Sequence, residues 1–251
     1  MAGILYLVPT PIGNLNDISP RCARTLAEAD FIAAEDTRVS LKLLNHLEIK
    51  KSLVSYHEHN KAESGGKILA RLLAGETCAL VTDAGSPAIS DPGEDLVRLC
   101  AENGVTVCAI PGPCALVTAL SISGLPTGRF TFEGFLSVNK KSRQEHLTGL
   151  KDETRTMIFY EAPHKLLTTL RDLADAFGED RKISLCRELT KLHEEVRRMT
   201  LGDAVRIRVK RADLQKRQLD FELLIDNGRP MAPASREDGP KVRRSTRRKN
   251  R

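Results

Sequence analysis

The sequence predicts an α/β protein made of two α/β domains, and three observations predict it. Short apolar runs recur between stretches of helical periodicity, the pattern of parallel strands joined by crossover helices. Four of the early runs open directly into unusual polar or Gly/Pro loops: PTPIGN, EDTR, HEHN and DAGSP. Ser123-Gly-Leu-Pro-Thr-Gly128 then interrupts the chain, and the strand and helix pattern restarts beyond it.

Ile4–Val8 is a continuous apolar run of strand length. Ser19-Pro20 supplies an N-cap and a first-turn proline, and Ile18, Cys22, Leu26 and Ala29 follow at about helical spacing. Residues 31–34 read as a second strand, Leu41, Leu44 and Leu47 as a short helix, and 52–56 as a third strand. A helix over 61–74 carries Ile68, Leu69, Leu72 and Leu73 on one face and closes at Gly75. Residues 78–82 form a buried strand, a helix begins at Glu94 and closes near Gly104, and 105–110 is a fifth strand. In the second half, strands are expected at 130–135, 156–160, 182–187, 196–200 and 219–225. Helices are expected at 140–150 and 164–177, with a short one from Gly202. The late strands lie close together in sequence, so this second sheet is expected to be mixed. The expected boundaries are 1–123, 124–228 and a disordered basic tail over 229–251.

Hydrophobic residues make up 41% and charged residues 29% of the 251 positions, the balance of a soluble globular protein. The formal charge of +6 hints at nucleic acid until it is located. Residues 241–251 hold seven Lys or Arg, which leaves 32 basic against 33 acidic residues elsewhere. That tail reads either as an arm that grips phosphates or as a solvated charge run. The six cysteines show no C-x-x-C spacing and read as small hydrophobes of a reducing compartment. The N-terminus lacks the pattern of a signal peptide, and the uncharged stretch 104–128 is broken by three prolines and by Gly112 and Gly124, unlike a membrane span. A cytoplasmic protein without membrane association is expected.

The stretch Val81–Gly93 concentrates the chemistry. Two prolines, two glycines and two aspartates fall within the eleven residues 83–93, at the end of a buried strand. In open parallel sheets ligands bind at such strand ends, so the four loops should converge on one cleft. Familiar signatures are missing: there is no G-x-G-x-x-G after a strand, no G-x-S-x-G, and Gly65-Gly66-Lys67 lacks the upstream glycine of a P-loop. His57 and His59 have no Cys/His cluster to complete a metal shell, and no metal site is expected.

The motifs VPTPIGNLNDIS, AAEDTR, HEHN, VTDAGSPAISDPG, PGPCA, GLP, EGFL, FYEAPH and CRELTK, in this order, resemble the tetrapyrrole-methylase superfamily. Within it, the chain resembles the small-subunit ribosomal RNA methyltransferase I family, which methylates a cytidine ribose 2′-oxygen in the decoding region. The resemblance implies a homodimer of two-domain subunits acting on 16S ribosomal RNA in the small subunit, with S-adenosylmethionine (SAM) held between the domains. Carried over by position, it implies a cofactor cradle of Asp83, Ala84, Gly85, Ser86, Pro87 and Ile89, with Pro11 and Ala115 beside it. Tyr160, Glu161 and Leu189 would form the opposite wall. A ribose hydroxyl needs help to act as a nucleophile, and Glu35, Asp36 and His57 are the candidate bases on the loops facing that shelf. The bland alternative for residues 35–38 is an internal acid–Arg pair, and for Glu188 and Lys191 a salt bridge near a domain or dimer contact. The family's Lys-Gly-Glu before the last strand is replaced here by Lys216-Arg-Gln-Leu-Asp220. Two other functions remain open at this level: methylation of a tetrapyrrole ring, and a catalytically idle RNA-binding assembly factor.

Overall fold

A computed structural model describes residues 1–205 and the backbone of 207–213, 218–225 and 229–230. The first domain is a five-stranded, wholly parallel sheet of β1 (Ile4–Leu7), β2 (Phe31–Ala34), β3 (Ser52–Ser55), β4 (Cys78–Val81) and β5 (Thr106–Ala109), ordered β3-β2-β4-β1-β5. The four residues of β2 and of β4 are all buried, because those strands lie inside the sheet with helices on both faces. In β1, Leu5 pairs with Cys78 on one side and Val107 on the other. Two apolar clusters pack the two faces. One joins Leu5, Phe31, Tyr56, Ile68, Leu72 and Leu96; the other joins Val8, Leu26, Ile32, Leu44 and Ile110. Burial of each such side chain stabilises by about 1.5–3 kcal/mol relative to exposure.

The crossover helices are α1 (Pro20–Glu28), α2 (Thr37–His46), α3 (Lys61–Leu73) and α4 (Glu94–Glu102), and α5 (Ala115–Ile122) leads out of the domain. The Ser19 hydroxyl accepts the Cys22 N–H and Pro20 opens α1, as the sequence predicts. Gly75 follows α3 with φ of 102°, a left-handed position that a glycine fills without steric cost. EDTR is not wholly a loop. Thr37 and Arg38 belong to α2, and Asp36 is its N-cap.

In the second domain β6 (Phe130–Phe135) pairs in parallel with β7 (Thr156–Tyr160), and β8 (Lys182–Arg187) pairs antiparallel with β9 (Glu195–Thr200). Helices α6 (Lys140–Gly149), α7 (Leu166–Phe177) and α8 (Leu201–Val205) pack around Leu136, Leu147, Leu170 and Leu201. Both strand senses occur as expected, but among the described residues β6–β7 and β8–β9 are separate two-stranded sheets rather than one mixed sheet. The edges of β7 and β8 instead face each other across a cavity of about 750 Å³. The chain continues into β10 (Ile207–Asp213), which the sequence pattern missed, then β11 (Gln218–Ile225) and β12 (Arg229–Pro230), an antiparallel set of its own. The basic stretch 241–251 lies outside the described residues.

Candidate active site

Because β1 to β5 are parallel, the loops that follow them share one edge of the sheet. The central pair is tied directly: Thr10 N–H donates to Gly85 O at 2.9 Å and Gly85 N–H to Thr10 O at 3.0 Å. This places Pro11 beside the Asp83–Pro87 loop. Gly85 has φ of 92°, and a Cβ there would meet Ile12 at 3.4 Å. The Ser86 hydroxyl donates to Pro113 O at 3.0 Å, which joins the loop after β4 to the turn after β5, two residues before Ala115. Ile89 is exposed, while Ala88 and Ser90 on either side of it have φ of 66° and 61°. Two non-glycine residues in the left-handed region so close together make this a strained loop.

The loop after β2 joins the same cluster. Asp36 N–H donates to Asp83 Oδ1 at 3.1 Å, and the Thr82 hydroxyl donates to Glu35 Oε2 at 2.7 Å. Thr82 is itself buried, and its carbonyl accepts the Thr10 hydroxyl at 3.0 Å. Asp36 is committed elsewhere. Its carboxylate accepts the Arg38 N–H and pairs with the Arg38 guanidinium at 2.7 Å, and these bonds pull its pKa down to about 2. The internal acid–Arg pair thus forms through Asp36, leaving Glu35 on Thr82. Burial raises the pKa of Asp83, aided by the nearby Glu35 and Asp36 charges and opposed by the Asp36 N–H bond.

His57 lies two residues beyond β3. Its N–H donates to the Asn60 side chain at 2.8 Å, its buried Nδ1 has no partner among the described residues, and its ring packs edge-on against His59 at 6.0 Å. No hydrogen bond described for His57 reaches the Asp83 loop. Sequence reasoning missed Asp91. Burial, then the charge of Glu35, raises its pKa to about 6 against a hydrogen bond to Thr82 that lowers it. A hydroxyl carries one proton, so Thr82 cannot donate to Glu35 and Asp91 at once. The SDPG run marked a turn, but nothing in the one-dimensional pattern marks a carboxyl as buried.

The second domain closes over this edge. Tyr160 Oη accepts the Leu116 N–H at 2.9 Å, and its ring stands edge-on to Phe132 and Phe135 at 5.0 and 5.5 Å. A Cβ on Gly13 would fall 2.5 Å from the Lys191 side chain and 3.1 Å from Leu189 O, so the PTPIG and CRELTK loops are in close contact. Lys191 also pairs with Glu188 at 3.1 Å, the salt bridge expected near this contact. Glu188 and Thr190 are left-handed, with φ of 51° and 65°. A Cβ on Gly134 would lie 3.2 Å from Ser90 Oγ, so the strained first-domain loop touches β6 at its bulge. Glu161 turns inward: it accepts from Ala162 N–H at 2.7 Å and the Thr169 hydroxyl at 2.5 Å. Ala115, Tyr160, Glu161 and Leu189 all line the 750 Å³ cavity, whereas Pro11 and residues 83–89 lie outside its lining. The structure thus joins the predicted residues as two walls meeting at Pro113–Leu116.

Residues 4–205 match the family Tetrapyrrole (Corrin/Porphyrin) Methylases. The chain is similar to proteins named Ribosomal RNA small subunit methyltransferase I. The one from Synechocystis sp. is 53% identical over 203 residues, 81% of this chain and 73% of that protein. The one from Halalkalibacterium halodurans is 55% identical over 203 residues, 81% and 70% of the two chains. Among solved structures, uroporphyrin-III C-methyl transferase from Thermus thermophilus complexed with S-adenyl homocysteine superposes with a TM-score of 0.56 at 20% identity, over 80% of this chain and 90% of that one. Diphthine synthase does so with a TM-score of 0.61 at 15% identity, over 81% and 84%. With a family match across most of its length and more than half of the 203 aligned residues identical to those relatives, the chain belongs to the ribosomal RNA small subunit methyltransferase I family of the tetrapyrrole methylases.

Proposed function

We propose that this protein is a SAM-dependent methyltransferase that methylates a cytidine ribose 2′-oxygen of 16S ribosomal RNA in the small subunit. The observation that carries the reading is the similarity, at 53–55% identity over 203 residues, to proteins named Ribosomal RNA small subunit methyltransferase I, within a family match over residues 4–205. The site suits SAM in size. Gly85, with φ of 92°, lets the loop turn beside Pro11 while its N–H and C=O are held by Thr10, and the neighbouring cavity falls in the range of about 300–1,000 Å³ typical of small-molecule sites. When bound, SAM supplies an electrophilic methyl group whose transfer extinguishes a sulfonium charge.

Asp83, Ala84, Gly85, Ser86, Pro87 and Ile89, with Pro11 and Ala115, form the first-domain side of the cradle. Tyr160, Glu161 and Leu189 form the other side. Positioning of the methyl donor against its acceptor in the cleft supplies much of the acceleration. Glu35, Asp36 and His57 are the candidate bases for the ribose hydroxyl, and their surroundings rank them. Asp36, held near a pKa of about 2 by Arg38, is a weak proton acceptor. Glu35, bonded to Thr82 beside the cradle, is the better placed, with His57 set farther along the edge. The domain limits 1–123 and 124–228, a homodimer, and phosphate contacts by the basic tail complete the reading. Among the described residues no helix is long and apolar enough to cross a membrane.

The test is transfer of labelled methyl from SAM to small ribosomal subunits taken from a strain lacking this protein, followed by mapping of the labelled nucleotide. Label on a decoding-region cytidine ribose supports the proposal. Label only on a tetrapyrrole, or none anywhere, refutes it.

A further inference from the structure

Helix α5 is an unusual connector. It carries no charged residue, and Cys114, its N-cap, gives no side-chain hydrogen bond to the first turn. The first N–H and last C=O groups of any helix lack partners within it, and leaving such groups buried and unbonded is costly. Here both ends are served from the second domain. At the N-terminus, Tyr160 Oη accepts the Leu116 N–H at 2.9 Å. At the C-terminus, the Arg198 guanidinium donates to Ser123 O at 3.0 Å and to Ile122 O, where a cation is also favoured by the helix dipole. Midway, Cys186 Sγ approaches Ala119 O at 3.9 Å. Strands β7, β8 and β9 therefore each hold one point along α5.

The N-terminal end of that helix bears on the cradle. Pro113, two residues before Ala115, accepts the Ser86 hydroxyl at 3.0 Å. A shift of α5 would move Pro113 and with it the Asp83–Pro87 loop. Tyr160 cannot easily follow such a shift, because its ring is fixed against Phe132 and Phe135.

We propose that Tyr160 and Arg198 are positioning residues: they cap α5 from the second domain and so hold the Ser86–Pro113 contact, and the cofactor loop, in its binding geometry. The proposal rests on the reading of residues 83–89 as a SAM cradle. Arg198 is the decisive probe, since the eight residues of α5 put it about 12 Å along the helix from Ala115.

The experiment measures binding of S-adenosylhomocysteine by calorimetry, and KM for SAM and kcat in the methyl-transfer assay. The proteins are wild type, Tyr160→Phe, Arg198→Met, Arg198→Lys and the Tyr160→Phe/Arg198→Met pair. Loss of one net hydrogen bond corresponds to about a fivefold change. Arg198→Met, at a residue outside both walls of the site, should weaken binding and raise KM about fivefold with kcat at saturating SAM unchanged, and Tyr160→Phe should weaken binding by a similar factor. Arg198→Lys, which keeps a donor to the carbonyls, should fall between. The double variant should lose less than the product of the single losses, because both act on one rigid helix. Variants that bind like wild type while melting earlier would overturn the proposal and leave the cradle standing. Failure of wild type to bind S-adenosylhomocysteine would overturn the cradle and the proposal together.

Discussion

Replacing Asp91 with Asn should stabilise the protein at pH 8 and leave it nearly unchanged at pH 4. The carboxyl is half-buried in the loop after β4 and near the charges of Glu35 and Asp83, so its charged form is disfavoured and its pKa rises from 3.8 to about 6. A displacement of about two pKa units corresponds to roughly 3 kcal/mol, which partial solvent exposure of the side chain reduces to about 1–2 kcal/mol. The sign follows from linkage. The folded protein binds this proton more tightly than the unfolded chain, so the contribution is fully present below pH 3.8 and is lost as pH rises through about 6. Asparagine carries no charge and can still bond to Thr82. The gain of Asp91→Asn over wild type should therefore be near zero at pH 4 and grow to about 1–2 kcal/mol at pH 8. Urea denaturation of both proteins at several pH values measures it. An equal difference at pH 4 and pH 8 would refute the account of Asp91 as a half-buried, charge-crowded acid.

Other outcomes follow from the same geometry. Gly85→Ala places a Cβ where φ is 92° and Ile12 is 3.4 Å away; it should cost about 1 kcal/mol in stability and weaken S-adenosylhomocysteine binding by calorimetry, and unaltered binding would detach this loop from the cofactor. Asp36→Ala removes the N-cap of α2 and should lower the melting temperature equally at pH 5 and pH 8. The depressed pKa of Asp36 makes its contribution complete above 3.8, with loss only as pH falls through about 2. Truncation after Arg229 should weaken small-subunit binding and flatten its salt dependence without changing S-adenosylhomocysteine affinity, since the seven basic residues of 241–251 are removed. Identical salt slopes would exclude the tail from phosphate contact.

The first domain was legible because each parallel strand is a short apolar run bounded by breakers, and local pattern fixes both its existence and its ends. Strands at 130–135, 156–160 and 182–187 fall where the apolar runs predict them. Which strands pair is a long-range matter, so the separation of β7 from β8 by a cavity left no mark in either run. The role of Asp36 was readable in principle: Asp before Thr-Arg-Val-Ser has the form of an N-cap, and the acidic neighbour Glu35 drew attention to catalysis instead. The resemblance implies Tyr160 as a wall residue, but its bond to Leu116 spans 44 positions and only the folded chain reveals it. Asp91 escaped because its raised pKa depends on burial and on the charge of Glu35, which comes from another point of the chain.

The junction between the domains is written half in side chains and half in main chain. Tyr160 meets an N–H and Arg198 meets two carbonyls, while within the first domain Ser86 carries the contact onward to the carbonyl of a proline. Every amino acid presents a carbonyl, and every one but proline an N–H. A saturation mutagenesis map of this protein would consequently be lopsided, with sensitivity concentrated at Ser86, Tyr160 and Arg198. Leu116 and Ser123 would tolerate many replacements in their role as partners, and Pro113 would change only as far as its backbone path allows. Genetic coupling between the two sides would be faint even though they touch, since one side can vary without altering the atoms it offers.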